Sequence, residues 1–384
     1  MKFTRNFDLE IFFSKYEFSV QYNVGGSDLE SVTISDLLEL CNEEERNQWE
    51  NLYLGYTETY GSPRLREVIA KTYDTVSPDH ILCFAGAEEG IYATMHAMLE
   101  PDDHVMVTYP NYQSAETIPF GICNVTGIPL DPDNNWALDI DFVKDHIKPN
   151  TKLISINFPN NPTGKILEKD TYLDLVGLCR HHGIYLFSDE VYRLIERSPD
   201  IRLAQAVDIY EKAISLNVMS KAYGMAGLRI GWIATKDKEL FQKTERIKHY
   251  LSICNSAPSE FLATIALKNK DIILDRNRGI VESNLRHLNN FFTKYENLFD
   301  WIEPDGGCVG YPRYKGKEGV TNFVDRIVEK LGVLFLPATV FQSELGNALA
   351  DRFRVGFGRN YFPEAIHQLD EYLKKESFFA PASS

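Results

Sequence analysis

Lys221 and Arg229 lie eight residues apart in "MSKAYGMAGLRIGW" (219–232), a run that is otherwise small, apolar and broken by glycine. A lysine amine attacks a carbonyl only while it is neutral, and a desolvated position near a second cation lowers its pKa toward that state. Arg229 can supply that cation while it binds a phosphate. Asp189 ends the apolar run of "IYLFSDEVY", where a carboxylate can hold a proton on a buried heteroaromatic nitrogen. In "AGAEEG" (85–90), the backbone of Gly86, Ala87 and Glu88 opens a helix, and exposed N–H groups with the helix dipole can cradle an anion. "YPNYQS" (109–114) and "NFPNNPTG" (157–164) complete the set. Each stretch has an ordinary alternative: a tight turn, an asparagine–proline turn, a helix cap at Asp189, a solvated lysine. Together they supply an amine for an aldehyde, a cup for a phosphate and a partner for a ring nitrogen, which are the requirements of pyridoxal 5'-phosphate.

The order "NNPTG", "SDEVY", "SKAYGMAGLR" resembles the class I/II aminotransferase family of fold-type I pyridoxal-phosphate enzymes over nearly the whole chain. The resemblance implies roles residue by residue. Lys221 matches the lysine that joins the cofactor covalently and later moves the Cα proton, and Asp189 matches the partner of the pyridine nitrogen. Tyr192 and Asn161 match the pair at the ring's phenolic oxygen, and Tyr112 the aromatic stacked on the ring. Ser220, Arg229, Gly86, Ala87 and Glu88 match the phosphate cup. Arg354, in "RFRVGFGR", matches the arginine that takes the substrate carboxylate, a task suited to a bidentate guanidinium. Tyr56 matches a tyrosine that reaches the partner subunit's phosphate, so a homodimer with active sites at the interface is expected. Val218 stands where the family often has a phosphate-binding hydroxyl.

These motifs name the cofactor more sharply than the reaction. In the family an L-amino acid reacts at Cα by way of an external aldimine and a quinonoid, and the protein selects among the outcomes by positioning groups around them. The N-terminal segment of this fold covers the site, and here it carries Glu10, Gly25, Gly26, Asp28 and Glu30. A solvated acidic face is the ordinary meaning of such residues. The functional alternative has Glu10 or Asp28 pairing a basic substrate side chain, with Gly26 letting the backbone approach the carboxylate. "RIKHYLSICNSAPSE" and "GGCVGYPR" resemble the matching stretches of capreomycidine synthase-like cyclases, which act on a hydroxylated arginine, while "SDEVYR" resembles ordinary aminotransferases. Dehydrating cyclisation of a hydroxyarginine-like substrate, as in capreomycidine or enduracididine formation, is therefore weighed slightly above transfer of the amino group to a 2-oxo acid. A C–S lyase and a non-catalytic cofactor-binding module rank lower.

The elements that must position these groups follow an alternating rhythm. "SPRLREVIAKTYDTV" and "AEEGIYATMHAML" read as helices, and "HILCFAG", "DHVMVTYP", "TKLISINFP", "IYLFSDEVY", "AISLNVMS" and "RIGWIAT" as strands. Apolar strands alternating with helices predict an α/β fold with a mainly parallel sheet sandwiched by helices and its ligand at the carboxyl ends of the strands, and the resemblance implies that this sheet is of the seven-stranded type. The expected division is an N-terminal segment over the site (1–45), a large cofactor-binding domain (46–280) and a smaller α+β domain (281–384), with a loose tail at "FFAPASS". The 384 residues suffice for a substantial core. Fifty-five acidic against 40 basic residues, net −15, disfavour nucleic acid and anionic membrane surfaces. Six scattered cysteines without metal or disulfide spacing fit a reducing compartment, and no apolar run reaches membrane length, so a cytoplasmic protein without a bound metal is expected.

Overall fold

The computed structural model describes residues 5–346 and 349–379. The tail expected at 378–384 lies mostly outside them. Eight strands form the main sheet: β1 (Ile81–Phe84), β2 (His104–Tyr109), β3 (Asn124–Asp131), β4 (Ala137–Leu138), β5 (Thr151–Asn157), β6 (Tyr185–Asp189), β7 (Ala213–Val218) and β8 (Gly231–Thr235). Their spatial order is β1-β8-β7-β6-β5-β2-β3-β4. The run β7 to β3 is parallel, whereas β8 is antiparallel to both neighbours and the two-residue β4 is antiparallel to β3. The expected seven-stranded sheet thus gains one short edge strand.

Alternation along each strand sends side chains to opposite faces. Leu153, Phe187, Ile214 and Ile233 face the helices Ala87–Met98 and Lys238–Lys248. Their neighbours Ile154, Leu186 and Ala213 face the helix Lys169–His182 through Leu175, Val176 and Cys179. Both faces are covered, so these strands are apolar throughout and show no in–out periodicity in sequence.

A smaller unit gathers Val309–Gly310, Phe353–Gly356 and Leu336–Pro337 into a three-stranded antiparallel sheet, covered by the helix Val320–Leu331 through Phe323, Val324 and Ile327. The helix Lys270–Lys294 runs unbroken across the expected boundary at 280/281. A strap, residues 22–29, belongs to this unit: Tyr22–Asn23 pairs in parallel with Val333–Leu334, and Gly356 N–H donates to the Val24 carbonyl. A side chain at Gly356 would collide with the Gly26 carbonyl, so glycine there is what lets the strap lie against the strand. Ahead of the strap, the helix Asp8–Tyr16 buries Leu9 and Phe13.

Candidate functional site

The parallel strands end in polar residues that converge on one cleft of about 340 Å³. Asn157 closes β5 and pairs in register with Asp189, which closes β6. Ser220 and Lys221 follow β7 directly, Arg229 precedes β8, and Gly86 and Ala87 lead from β1 into a helix. Ala87, Glu88, Tyr112, Asn161, Asp189, Tyr192, Ser220, Lys221 and Arg229 all line the cleft, with Glu10, Gly26 and Asp28 along its N-terminal wall.

The turn between Lys221 and Arg229 is made by Gly224, with φ of +69°, and by Arg229 itself, with φ of +51°. Gly227 lies between them in a single 3-10 turn, Ala226–Leu228. Arg229 folds back on the helix start: its Nη2 donates to the Ala85 carbonyl at 3.3 Å, and a Cβ on Gly86, whose φ is +103°, would come within 2.5 Å of it. A guanidinium and a helix N-terminus therefore share one corner, the arrangement an anion requires. Val218 lines the same cleft and offers no hydroxyl.

Asp189 is the carboxylate of the cleft floor. Burial pushes its pKa up to about 6, opposed by a hydrogen bond from Val191 N–H (3.1 Å) and by the charge of Lys221. The Lys221 amine donates to Ser27 Oγ at 2.8 Å. Burial lowers its proton affinity and Arg354 adds to that, while Asp28, Cys308 and Asp189 act the other way. The Tyr192 hydroxyl donates to the Ser27 carbonyl at 2.7 Å, which brings the strap to both groups.

Arg354 sits behind this layer, fully buried. Its Nε and Nη2 donate to the Gly25 carbonyl (3.0 and 2.7 Å) and its Nη1 to Asn161 Oδ1 (3.0 Å). Asn161 is held in turn by its own N–H on Asn157 Oδ1 (2.8 Å). With Oδ1 given to the arginine, the Asn161 amide nitrogen is the atom able to donate into the cleft.

The acidic residues separate into groups. Glu30 accepts from Asn360 N–H at 2.9 Å and does not line the cleft. Asp28 lines it and is ion-paired with Arg359 at 2.7 Å. Glu10 stands at the rim, 3.5 Å from the Tyr112 hydroxyl. Glu88 turns into the cleft, where burial raises its pKa to about 7, with Oε2 enclosed and without a hydrogen bond. Tyr56 is 91% exposed and does not line this cleft; Tyr53, Leu54, Tyr250, Leu251 and Ile253 are exposed as well.

Three cleft groups were not singled out from sequence: Ser27, Asn157 and Glu17. Glu17 lies seven residues beyond Glu10, and Leu9, Glu10, Phe13 and Glu17 share one face of the N-terminal helix. That spacing was a usable signal. Burial raises the Glu17 pKa, and the carboxylates of Asp28 and Glu10 raise it further against the opposing charges of Arg359 and Lys221, so the negative charge of this wall is only partly compensated.

The residues present fit a phosphorylated pyridine. Arg229, Ser220 and the helix start make an anion cradle, an enclosed carboxylate lies at the floor, and an amine of lowered proton affinity stands between them. Comparison with known proteins agrees. The family model for aminotransferases of class I and II matches residues 28–367. Capreomycidine synthase of Streptomyces vinaceus is 28% identical over 304 residues, 77% of this chain and 75% of that protein. A PLP-dependent aminotransferase from Streptococcus suis superposes with a TM-score of 0.90 at 29% identity, covering 98% of this chain and 99% of that one. The PLP-dependent cyclase OrfR shares the fold, with a TM-score of 0.87 at 22% identity over 98% and 99% of the two chains.

Proposed function

Because the chain belongs to the class I and II aminotransferase family and is a pyridoxal-phosphate-dependent enzyme, we propose that it acts at Cα of a basic L-amino acid, dehydrating and cyclising a hydroxylated arginine-like substrate. The observation that carries this reading is the wall of Glu10, Glu17 and Asp28, three carboxylates facing the same cleft as the Lys221 amine. A guanidinium seated there relieves their mutual repulsion. When bound, the cofactor supplies the electron sink that makes a Cα–H bond acidic.

The chain's own groups divide the remaining work. Lys221 carries the proton at its Nζ, and its lowered proton affinity lets it act as a base. Asp189 holds the proton of the ring nitrogen. The Asn161 amide nitrogen would donate to the phenolic oxygen, as would the Tyr192 hydroxyl on leaving the Ser27 carbonyl, and Tyr112 would cover the ring. Ser220, Arg229 and the N–H groups at Gly86, Ala87 and Glu88 hold the phosphate. Arg354, which is fully buried behind the cleft lining and held by Gly25 and Asn161, would take the substrate carboxylate beside Gly26 with its remaining N–H groups. In the net reaction a C–O bond breaks, a bond forms from a guanidino nitrogen to carbon, and one water leaves; no keto acid is consumed.

Transamination is the second reading, favoured by the near-complete superposition on the Streptococcus suis aminotransferase. Incubation with L-arginine and its 3- and 4-hydroxy derivatives, with and without 2-oxoglutarate, separates the two. Loss of water from a hydroxyarginine without an acceptor supports cyclisation, whereas acceptor-dependent glutamate formation refutes it in favour of transamination.

We also propose a homodimer. Tyr53, Leu54 and Tyr56 in one loop and Tyr250, Leu251 and Ile253 in another are large apolar side chains exposed to water. The two loops are tied by Thr57 Oγ1 donating to the Asn255 carbonyl at 3.0 Å, which supports reading them as one surface. Tyr56 then reaches the phosphate of the second copy.

A further inference from the structure

Ser27 touches both mobile-proton groups of the cleft. Its hydroxyl lies 2.8 Å from Lys221 Nζ and its carbonyl 2.7 Å from the Tyr192 hydroxyl. The residue is fixed from both sides. Before it, Gly25 is locked by two N–H groups of Arg354, and Val24 by the Gly356 N–H. After it, Asp28 is ion-paired with Arg359, and the Glu30 N–H donates to the Gly358 carbonyl. A hydroxyl held this firmly is preorganised and does not spend entropy finding the amine.

We propose that Ser27 is a positioning residue that sets the location and the proton affinity of Lys221. The argument rests on Lys221 being the reacting amine, as proposed above. An ammonium is a donor without acceptor capacity, so in a desolvated cleft its charged form depends on the acceptors aimed at it. The titratable and charged groups facing Lys221 are Asp28, Cys308, Asp189 and Glu17, which favour the ammonium, and Arg354, which opposes it. Asp28 shares its charge with Arg359, and Asp189 is pushed toward its neutral form by burial. Ser27 Oγ is the acceptor in direct contact, and its hydroxyl can rotate to accept from the ammonium or to donate to the neutral amine. It therefore serves Lys221 both before and after the amine takes a proton, and it keeps Nζ against the strap and away from Tyr192, whose hydroxyl is taken up by the same residue's carbonyl.

The test reads the amine directly and needs no substrate. In full-length protein freed of cofactor, Lys221 is labelled with an acylating reagent across a pH series and quantified by peptide mass spectrometry, in the parent chain, Ser27→Ala and Ser27→Thr. Losing one hydrogen bond to a charged group corresponds to roughly a tenfold change in the neutral fraction. Ser27→Ala is expected to label about tenfold faster near neutral pH, with its profile displaced to lower pH, and Ser27→Thr to retain the parent profile. An unchanged Ser27→Ala profile overturns the proposal, even if that variant melts earlier. So does a Ser27→Thr profile displaced as far as that of Ser27→Ala. An inactive enzyme whose Lys221 still responds to Ser27 in this way would refute the proposed reaction and leave the positioning role standing.

Discussion

Replacing Asp189 by asparagine should stabilise the cofactor-free protein, because this carboxylate is kept at a cost. Burial raises its pKa from the ordinary 3.8 to about 6, against the pull of Val191 N–H and Lys221. A raised carboxyl pKa means that between these values the folded chain holds a proton the unfolded chain has released, so stability falls as pH climbs through that window. Below pH 3.8 the effect is absent; above pH 6 it is complete. The gap corresponds to about 3 kcal/mol. Asp189 is partly open to the cleft, which brings the expected gain of Asp189→Asn to about 1–3 kcal/mol at pH 7.5. Asparagine is isosteric, and its Oδ1 still accepts from Val191 N–H. Urea denaturation of both proteins without cofactor, at pH 4 to 8, measures the difference. The gain should be greatest above pH 6 and vanish toward pH 4. The same variant, saturated with cofactor, should lose the advantage, since it cannot stabilise a protonated ring nitrogen. A difference that does not vary with pH, or a variant less stable than its parent at pH 7.5 without cofactor, refutes the reasoning.

Gly86→Ala should lower cofactor affinity about tenfold or more, since left-handed backbone costs a side chain roughly 1–3 kcal/mol and the new Cβ displaces Arg229; absorbance titration with pyridoxal phosphate checks it. The pair Glu10→Gln and Glu17→Gln should weaken L-arginine about tenfold against norleucine in calorimetry, a modest factor because both residues stand at the exposed rim. Equal losses for the two ligands would remove the case for a basic substrate. In the parent chain, arginine affinity should fall as pH drops through the raised pKa of Glu17, because protonation discharges the wall. Leu54→Asp with Ile253→Asp should give a monomer in sedimentation equilibrium and weaken cofactor retention; an unchanged molecular mass would place the interface elsewhere.

What sequence disclosed and what it hid have separate physical causes. Asp189, Lys221, Gly86 and Tyr112 were findable because each follows an apolar strand, and a parallel sheet brings the residues after its strands to one edge. That the N-terminal segment lies over the site was expected from the resemblance, but the strap's pairing was not legible: Tyr22–Asn23 pairs over two residues with Val333–Leu334, too briefly for a periodic pattern and across more than 300 residues of chain. The placement of Ser27 on Lys221 depends on that pairing, and so does the Gly25 carbonyl on Arg354. The change of composition near 280 falls inside an element rather than at a loop, because the helix Lys270–Lys294 passes through it without interruption.

The strap also fixes when this site comes into being. On the ribosome the residues that form the sheet, with Asp189, Lys221 and Arg229, emerge first, whereas the pairing partners of residues 22–24 lie at 333–356. Until those are made, the strap has only its bonds to the sheet unit, from Lys221 and Tyr192 to Ser27. Synthesis of the protein and completion of its chemistry are thus separated in time: a chain broken off before residue 353 holds every strand of the main sheet but lacks Arg354 and the Gly356 N–H that fixes Val24.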